Sequence, residues 1–225
     1  MLILDHVSVS FSAVPVLRDV TFTLRAGESV AFIGRNGAGK TTTLRTIMGF
    51  TKMDGRIVLD GRDLADVPAH QRPGLGIGYA PEDRRLFSRF CVEENILLPA
   101  EVARLGGAET RRRLGRVYDI LPELKEMARR PAGSVSGGQG KMVALGRALM
   151  LATRLLMLDE PFQGLAPVLA HRYAEALRRL RDVDSGLTLL ITESNPHLLS
   201  RFAGRTITIE RGEIAADVVN EGQAA

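Results

Sequence analysis

Residues 34–42 read GRNGAGKTT, and they fit G-x-x-x-x-G-K-[ST]. The residue types explain the chemistry. Gly34, Gly37 and Gly39 let the backbone turn tightly enough for successive N–H groups to converge on phosphate oxygens. A helix opening near Lys40 turns its positive end on the same point. Lys40 supplies a charge to β- and γ-phosphates, and the Thr41 hydroxyl is placed to ligate Mg²⁺. Arg35, Asn36, Ala38 and Thr42 complete the candidate contacts. A glycine turn with a surface lysine is the bland alternative. The setting argues against it, because a β-rich segment precedes the motif and an amphipathic KTTTLRTIMGF (40–50) follows. The loop therefore predicts binding of a nucleoside triphosphate with Mg²⁺.

Outward from the loop, strand and helix patterns alternate. LILDHVSVSF and LRDVTFTLRAGESVAFIG read as β-rich, broken by a turn at Gly27, and GRIVLDG (55–61) reads as a hairpin. Residues 84–149 lose strand character and read as several helices, broken at Gly106, Gly107 and Pro131. RLLMLDE, a helix over 167–183, LTLLIT, a short helix and RTITIERGEIAADVV restore the alternation. The organisation expected is one α/β domain over 1–225, with its core in 1–83 and 150–218, a helical insertion at 84–149 and a loose tail at 219–225.

Composition narrows the class. Apolar residues make up 45% and charged residues 25% of the 225, as in an ordinary globular chain. No apolar stretch approaches the roughly 18 residues that cross a bilayer. The start, MLILDHVSVS, does not read as a secretory signal. Cys91 is the single cysteine and reads as a small buried hydrophobe in a reducing compartment. Only four of the 30 basic residues are lysine, and the net charge of +4 is spread among 26 acidic residues. ETRRRLGRVYDILPELKEMARR shows helical spacing at Leu114, Val117, Tyr118 and Leu121, so most of its charges read as a solvated face. Without interleaved aromatics, no nucleic-acid partner is expected.

Two further motifs carry chemistry. RLLMLDEP (154–161) ends an apolar strand in two carboxylates, a costly arrangement unless positive charge lies beside it. There Asp159 can hold Mg²⁺ and Glu160 can orient the attacking water. VSGGQGKMVALGRALM places Ser136, Gly137, Gly138 and Gln139 at the start of a long helical pattern, a second anion-binding helix end. With all three motifs, the chain resembles the ATP-binding cassette (ABC) family of transport ATPases over nearly its whole length.

That resemblance implies a P-loop NTPase core with an N-terminal antiparallel β subdomain and an inserted helical subdomain. It implies ATP hydrolysis, and a head-to-tail pair in which Ser136–Gln139 of one chain meets ATP held by a second ABC ATPase, identical or different. It matches Phe11 to the aromatic that stacks on adenine. It matches Glu82 to a position, usually glutamine, that senses Mg²⁺ and the membrane subunit. GLAP (164–167) matches the crossing loop, with Ala166 where aspartate is usual. The family's switch histidine, counted back from Arg205, falls on Ser194. His197 lies further on and reads as the outer face of a short helix capped by Asn195 with Pro196 in its first turn.

PEDRRLF, VEENI and GLAP together are similar to one branch, the shorter, glutamate-bearing ATPases of importers for branched-chain and other hydrophobic amino acids. The branch implies transmembrane permease subunits, an extracellular or periplasmic solute-binding protein acting indirectly, and a peripheral place on the cytoplasmic face of the membrane. Another solute, or an exporter or lipid-extraction system, would use the same motor. A GTPase or kinase would not need SGGQ, and a chromosome-organising ATPase would carry a long coiled-coil insertion.

Overall fold

The structure, a computed structural model, describes residues 1–195, 197, 199 and 202–220. The chain divides into two compact units, residues 1–75 with 188–225, and residues 76–187.

The first unit holds an antiparallel sheet built on β1 (Leu2–Phe11) and β2 (Val14–Leu24). Their turn places Ser12 and Ala13 at φ 48° and 67°, the left-handed pair that a two-residue hairpin uses. Leu2, Leu4, Val7 and Val9 are buried along β1, so the inward alternation skips a residue at His6. His6 and Asp19 take φ 51° and 54° where the β1–β2 register shifts, and they hydrogen-bond to each other. These bulges keep each strand's apolar face on one side. β4 (Asp54–Leu59) pairs with the other edge of β1, and Asp60–Gly61 turns it into β5 (Arg62–Asp63), the hairpin that GRIVLDG predicts.

β3 (Ser29–Ile33) leaves that sheet. The turn at Gly27 (φ 73°) ends one β-rich segment, and β3 then runs parallel to β8 (Thr188–Glu193) and β9 (Arg205–Glu210). β10 (Glu213–Val219) pairs antiparallel with β9. Arg205 ties these parts together by donating to Thr23 O at 2.8 Å and to the Glu28 and Asp217 carboxylates. Of the segment expected to be loose, Val219 ends β10 and Asn220 donates to Ala203 O at 2.7 Å, while 221–225 lie outside the described residues.

The α1 helix (Lys40–Ile47) ends earlier than its pattern suggests. Gly49 takes φ 78°, its N–H bonds Thr46 O and that of Phe50 bonds Arg45 O, which closes the last turn.

The second unit contains β6 (Ile77–Ala80) parallel to β7 (Leu155–Asp159). It also holds α2 (Val92–Val102), α3 (Gly107–Ile120), α4 (Pro122–Glu126), α5 (Gly137–Leu149) and α6 (Pro167–Val183). Gly106 caps α3, and Pro131 precedes a single helical turn at Ala132–Ser134. One expectation needs correction. Cys91 is not a buried hydrophobe. It caps α2, its Sγ accepting from Glu94 N at 3.4 Å while the Glu94 carboxylate accepts from Cys91 N at 2.7 Å. Most charges of 109–130 are exposed, as expected, and two arginines of α3 are partly buried exceptions. Arg113 donates to Met150 O at 2.8 Å, and Arg116 to Ala152 O at 3.0 Å and Asp184 at 2.7 Å, because uncapped carbonyls past α5 need donors.

Candidate nucleotide-binding site

Loop 34–39 joins β3 to α1 in the first unit; Gly34 and Gly39 are sterically required, and Gly37 takes a left-handed φ of 80° in open space. A Cβ on Gly34 would lie 2.4 Å from Ile209 O. On Gly39 (φ 115°) it would lie 2.7 Å from Leu17 Cδ2. Gly39 is the N-cap of α1 and supplies no side-chain cap, so the first-turn N–H groups, including those of Lys40, Thr41 and Thr42, are not screened by a capping side chain. That is the donor arrangement a phosphate fits.

Lys40 is 4% exposed. Its ammonium donates to Gly34 O at 2.7 Å, Arg35 O at 3.2 Å and Ser194 Oγ at 3.1 Å. Ser194 Oγ in turn donates to Asn36 Oδ1 at 2.7 Å. The fold thus brings Ser194, just past β8, onto the loop. Gly34 N bonds Glu193 O at 3.3 Å and fixes the same junction. His197 is exposed, its N–H donating to Asn195 Oδ1 at 3.1 Å as a capping turn requires, and Pro196 lies outside the described residues. A cleft of about 810 Å³ runs along the loop's outer limb, lined by Arg18, Arg35, Asn36, Ser194 and Arg211 among others. Gly37 and Ala38 also line it, whereas Lys40, Thr41 and Thr42 do not. Phe11 closes β1 with half its surface exposed.

In the second unit, β7 carries Asp159 to its end at 2% exposure, and Tyr79 of β6 donates to Asp159 Oδ2 at 3.2 Å. Glu160 follows at 6% exposure with φ 46°. A non-glycine residue held there costs about 1–3 kcal/mol, so its surroundings must impose it. Its carbonyl accepts from Lys141 Nζ at 2.7 Å. Glu82 is exposed in the loop after β6. That loop is latched to α5: Arg84 donates to Gly137 O at 2.8 Å, and Arg147 to the carbonyls of Arg84 and Arg85 at 2.6 and 2.7 Å.

The α5 helix opens on a capping box. Ser136 Oγ accepts from Gln139 N at 3.3 Å, and Gln139 Oε1 accepts from Ser136 N at 2.9 Å. The Ser136 hydroxyl keeps its proton to donate outward. Gly137 is exposed and Gly138 packs closely against Leu169 of α6. The sequence does not mark Tyr79, Lys141 or Arg147. Their roles depend on neighbours far away along the chain, and only the lysine in GGQGK stands inside a motif.

The family model for ABC transporters matches residues 17–163. The chain belongs to the ABC transporter family. This cassette is 37% identical over 220 residues to the high-affinity branched-chain amino acid transport ATP-binding protein BraG of Pseudomonas aeruginosa, covering 95% of this chain and 91% of that protein. It is 34% identical over 204 residues to the lipopolysaccharide export system ATP-binding protein LptB of Escherichia coli K12, covering 89% and 83%. A solved ATP-binding subunit of an ABC transporter superposes with a TM-score of 0.84 at 30% identity, covering 97% of the cassette and 90% of that chain. The cassette is an ATP-hydrolysing subunit of a transporter.

Proposed function

We propose that the cassette energises an importer of branched-chain or other hydrophobic amino acids. What carries this reading is the 37% identity to BraG along nearly the full chain, together with PEDRRLF, VEENI and GLAP. The likeness to LptB supports a second reading, lipid export by the same motor. The two separate on coupling. ATPase activity of the cassette with its permease should rise with a solute-binding protein loaded with leucine or isoleucine. Stimulation by lipopolysaccharide instead would favour export.

In the mechanism, residues 34–42 hold the triphosphate, Lys40 exchanging its loop carbonyls for phosphate oxygens while Phe11 stacks on adenine. Thr41 and Asp159 would hold Mg²⁺, with Glu82 as a further oxygen donor. No group of three or more His, Cys, Asp or Glu converges among the described residues, and this fits a cation that takes most of its ligands from phosphate and water. When bound, Mg²⁺ neutralises phosphate charge. Glu160 orients the attacking water. On nucleotide binding, Ser194 turns its one hydroxyl proton from Asn36 toward the terminal phosphate in place of a histidine. It is never cationic, so turnover here is slow.

Ser136, Gly137, Gly138 and Gln139 meet the triphosphate of a second ABC ATPase, because one nucleotide does not need two helix ends. Segment 84–149 acts as the helical insertion and, with the Glu82 loop, presses on the permease. None of the described helices is long and apolar enough to cross a membrane, which suits a peripheral place on its cytoplasmic face. A Glu160→Gln variant should bind ATP with wild-type affinity yet hydrolyse it roughly 100-fold slower or worse. Wild-type turnover in that variant would remove Glu160 from its role.

A further inference from the structure

Glu160 stands in a left-handed backbone conformation at the end of β7, and two groups among the described residues donate to its carbonyl. One is the N–H of Gln163, at 3.3 Å. The other is the ammonium of Lys141, at 2.7 Å. The second bond is shorter and charge-assisted, hence the stronger restraint. Swinging that carbonyl rotates the peptide plane and with it the direction of the Glu160 side chain.

Lys141 does not belong to the β7 turn. It sits on α5, little more than a turn beyond Ser136, on the helix whose N-terminus carries Gly137, Gly138 and Gln139. The lysine therefore connects two parts of the site that lie far apart in sequence. We propose that Lys141 is a positioning residue for hydrolysis: it holds Glu160 in its strained conformation and makes the placement of that carboxylate depend on the helix that receives the partner's triphosphate. A cassette whose α5 is engaged across the pair then has its own Glu160 aligned, which links the two sites through one side chain. This rests on the reading of Glu160 as the residue that orients water. A misplacement of about 1 Å in such a group can cost roughly 100-fold in rate, so a loose Glu160 is enough to slow turnover without touching nucleotide binding.

The test uses the full chain with Lys141→Met and Lys141→Arg. Without nucleotide, amide hydrogen exchange across residues 160–164 should quicken in Lys141→Met and stay near wild type in Lys141→Arg, which restores a cationic donor. With Mg-ATP, Lys141→Met should lose roughly tenfold or more in kcat while KM stays within about twofold, and Lys141→Arg should recover most of the rate. In a Glu160→Gln background Lys141→Met should slow turnover no further. Unchanged exchange together with unchanged kcat overturns the proposal. So does a loss of kcat matched by an equal loss of ATP affinity and thermal stability that arginine does not restore. If Glu160→Gln itself turns over at the wild-type rate, the water-orienting reading fails instead, and the exchange data still report whether Lys141 holds the turn.

Discussion

Arg72 shows how much one side chain can organise. It is 7% exposed, and its guanidinium donates to Val67 O at 2.9 Å, Leu64 O at 2.8 Å, Thr46 O at 3.0 Å and Ile47 O at 2.7 Å. The last two are carbonyls of the final turn of α1, where a cation also meets the negative end of the helix. Burial pulls the Arg72 pKa down, but arginine stays charged at any working pH. Gly49 is small for this reason too, since a Cβ there would sit 2.7 Å from Arg72 Cζ. Replacing Arg72 by leucine removes a donor from four carbonyls, of which Thr46 O and Leu64 O keep a backbone N–H while Ile47 O and Val67 O depend on the guanidinium, and we expect a loss of about 3 kcal/mol. Lysine should recover only part, because an ammonium cannot span the fork. Urea denaturation of the two variants checks both statements. Because Arg72 grips the end of the helix that Lys40 begins, the same variants should also weaken ATP binding.

At the scale of elements, α3 depends on its first turn. Gly106 gives α3 no side-chain cap, and Glu109 in the first turn sets a negative charge near the positive helix end while accepting from Arg112 Nε at 2.8 Å and Arg113 Nε at 2.6 Å. The two arginines hold the Glu109 carboxyl down at about 2, against an ordinary 4.5. A folded-state value below the unfolded one means that this contribution is complete above pH 4.5 and is lost as pH falls toward 2. Glu109→Gln should therefore flatten the acid side of the stability profile between those values, read as urea midpoints at pH 3 and pH 7. The effect is modest because the carboxylate faces water.

Elements also show where sequence reading reached and stopped. The α5 start was legible because a serine followed by two glycines and a glutamine writes its own capping geometry. β6 was not, because GIGYA is four or five residues of weak pattern. Its identity comes from contacts: a Cβ on Gly78 would lie 2.4 Å from Ala148 O, so only glycine lets this strand approach α5 so closely.

For the whole molecule, the decisive expectation is association. Helix α1 begins in a cradle without a side-chain cap and α5 begins in an exposed second one, and the proposed function needs both from different chains. Glu160→Gln, alone or mixed with the transporter's second ATPase, should form a two-cassette species with Mg-ATP and none with ADP, by light scattering after size exclusion. Adding Ser136→Glu should abolish it, because a carboxylate would then face the partner's γ-phosphate. Persistence of the pair in that double variant would sink the shared-nucleotide arrangement.

The sequence by itself determined the chemistry that fits inside a few residues: the glycine-rich loop and its lysine, two carboxylates at the end of an apolar strand, and a serine-capped helix with two glycines. Each depends on φ/ψ freedom, helix ends and side-chain type, which are local properties. Tertiary structure alone decided which sheet β2 and β3 each join, that Ser194 meets Asn36 and Lys40, that Cys91 caps a helix, and that Lys141 reaches the Glu160 carbonyl. Those outcomes depend on register and burial between segments distant along the chain, where many pairings satisfy the local pattern and packing selects one.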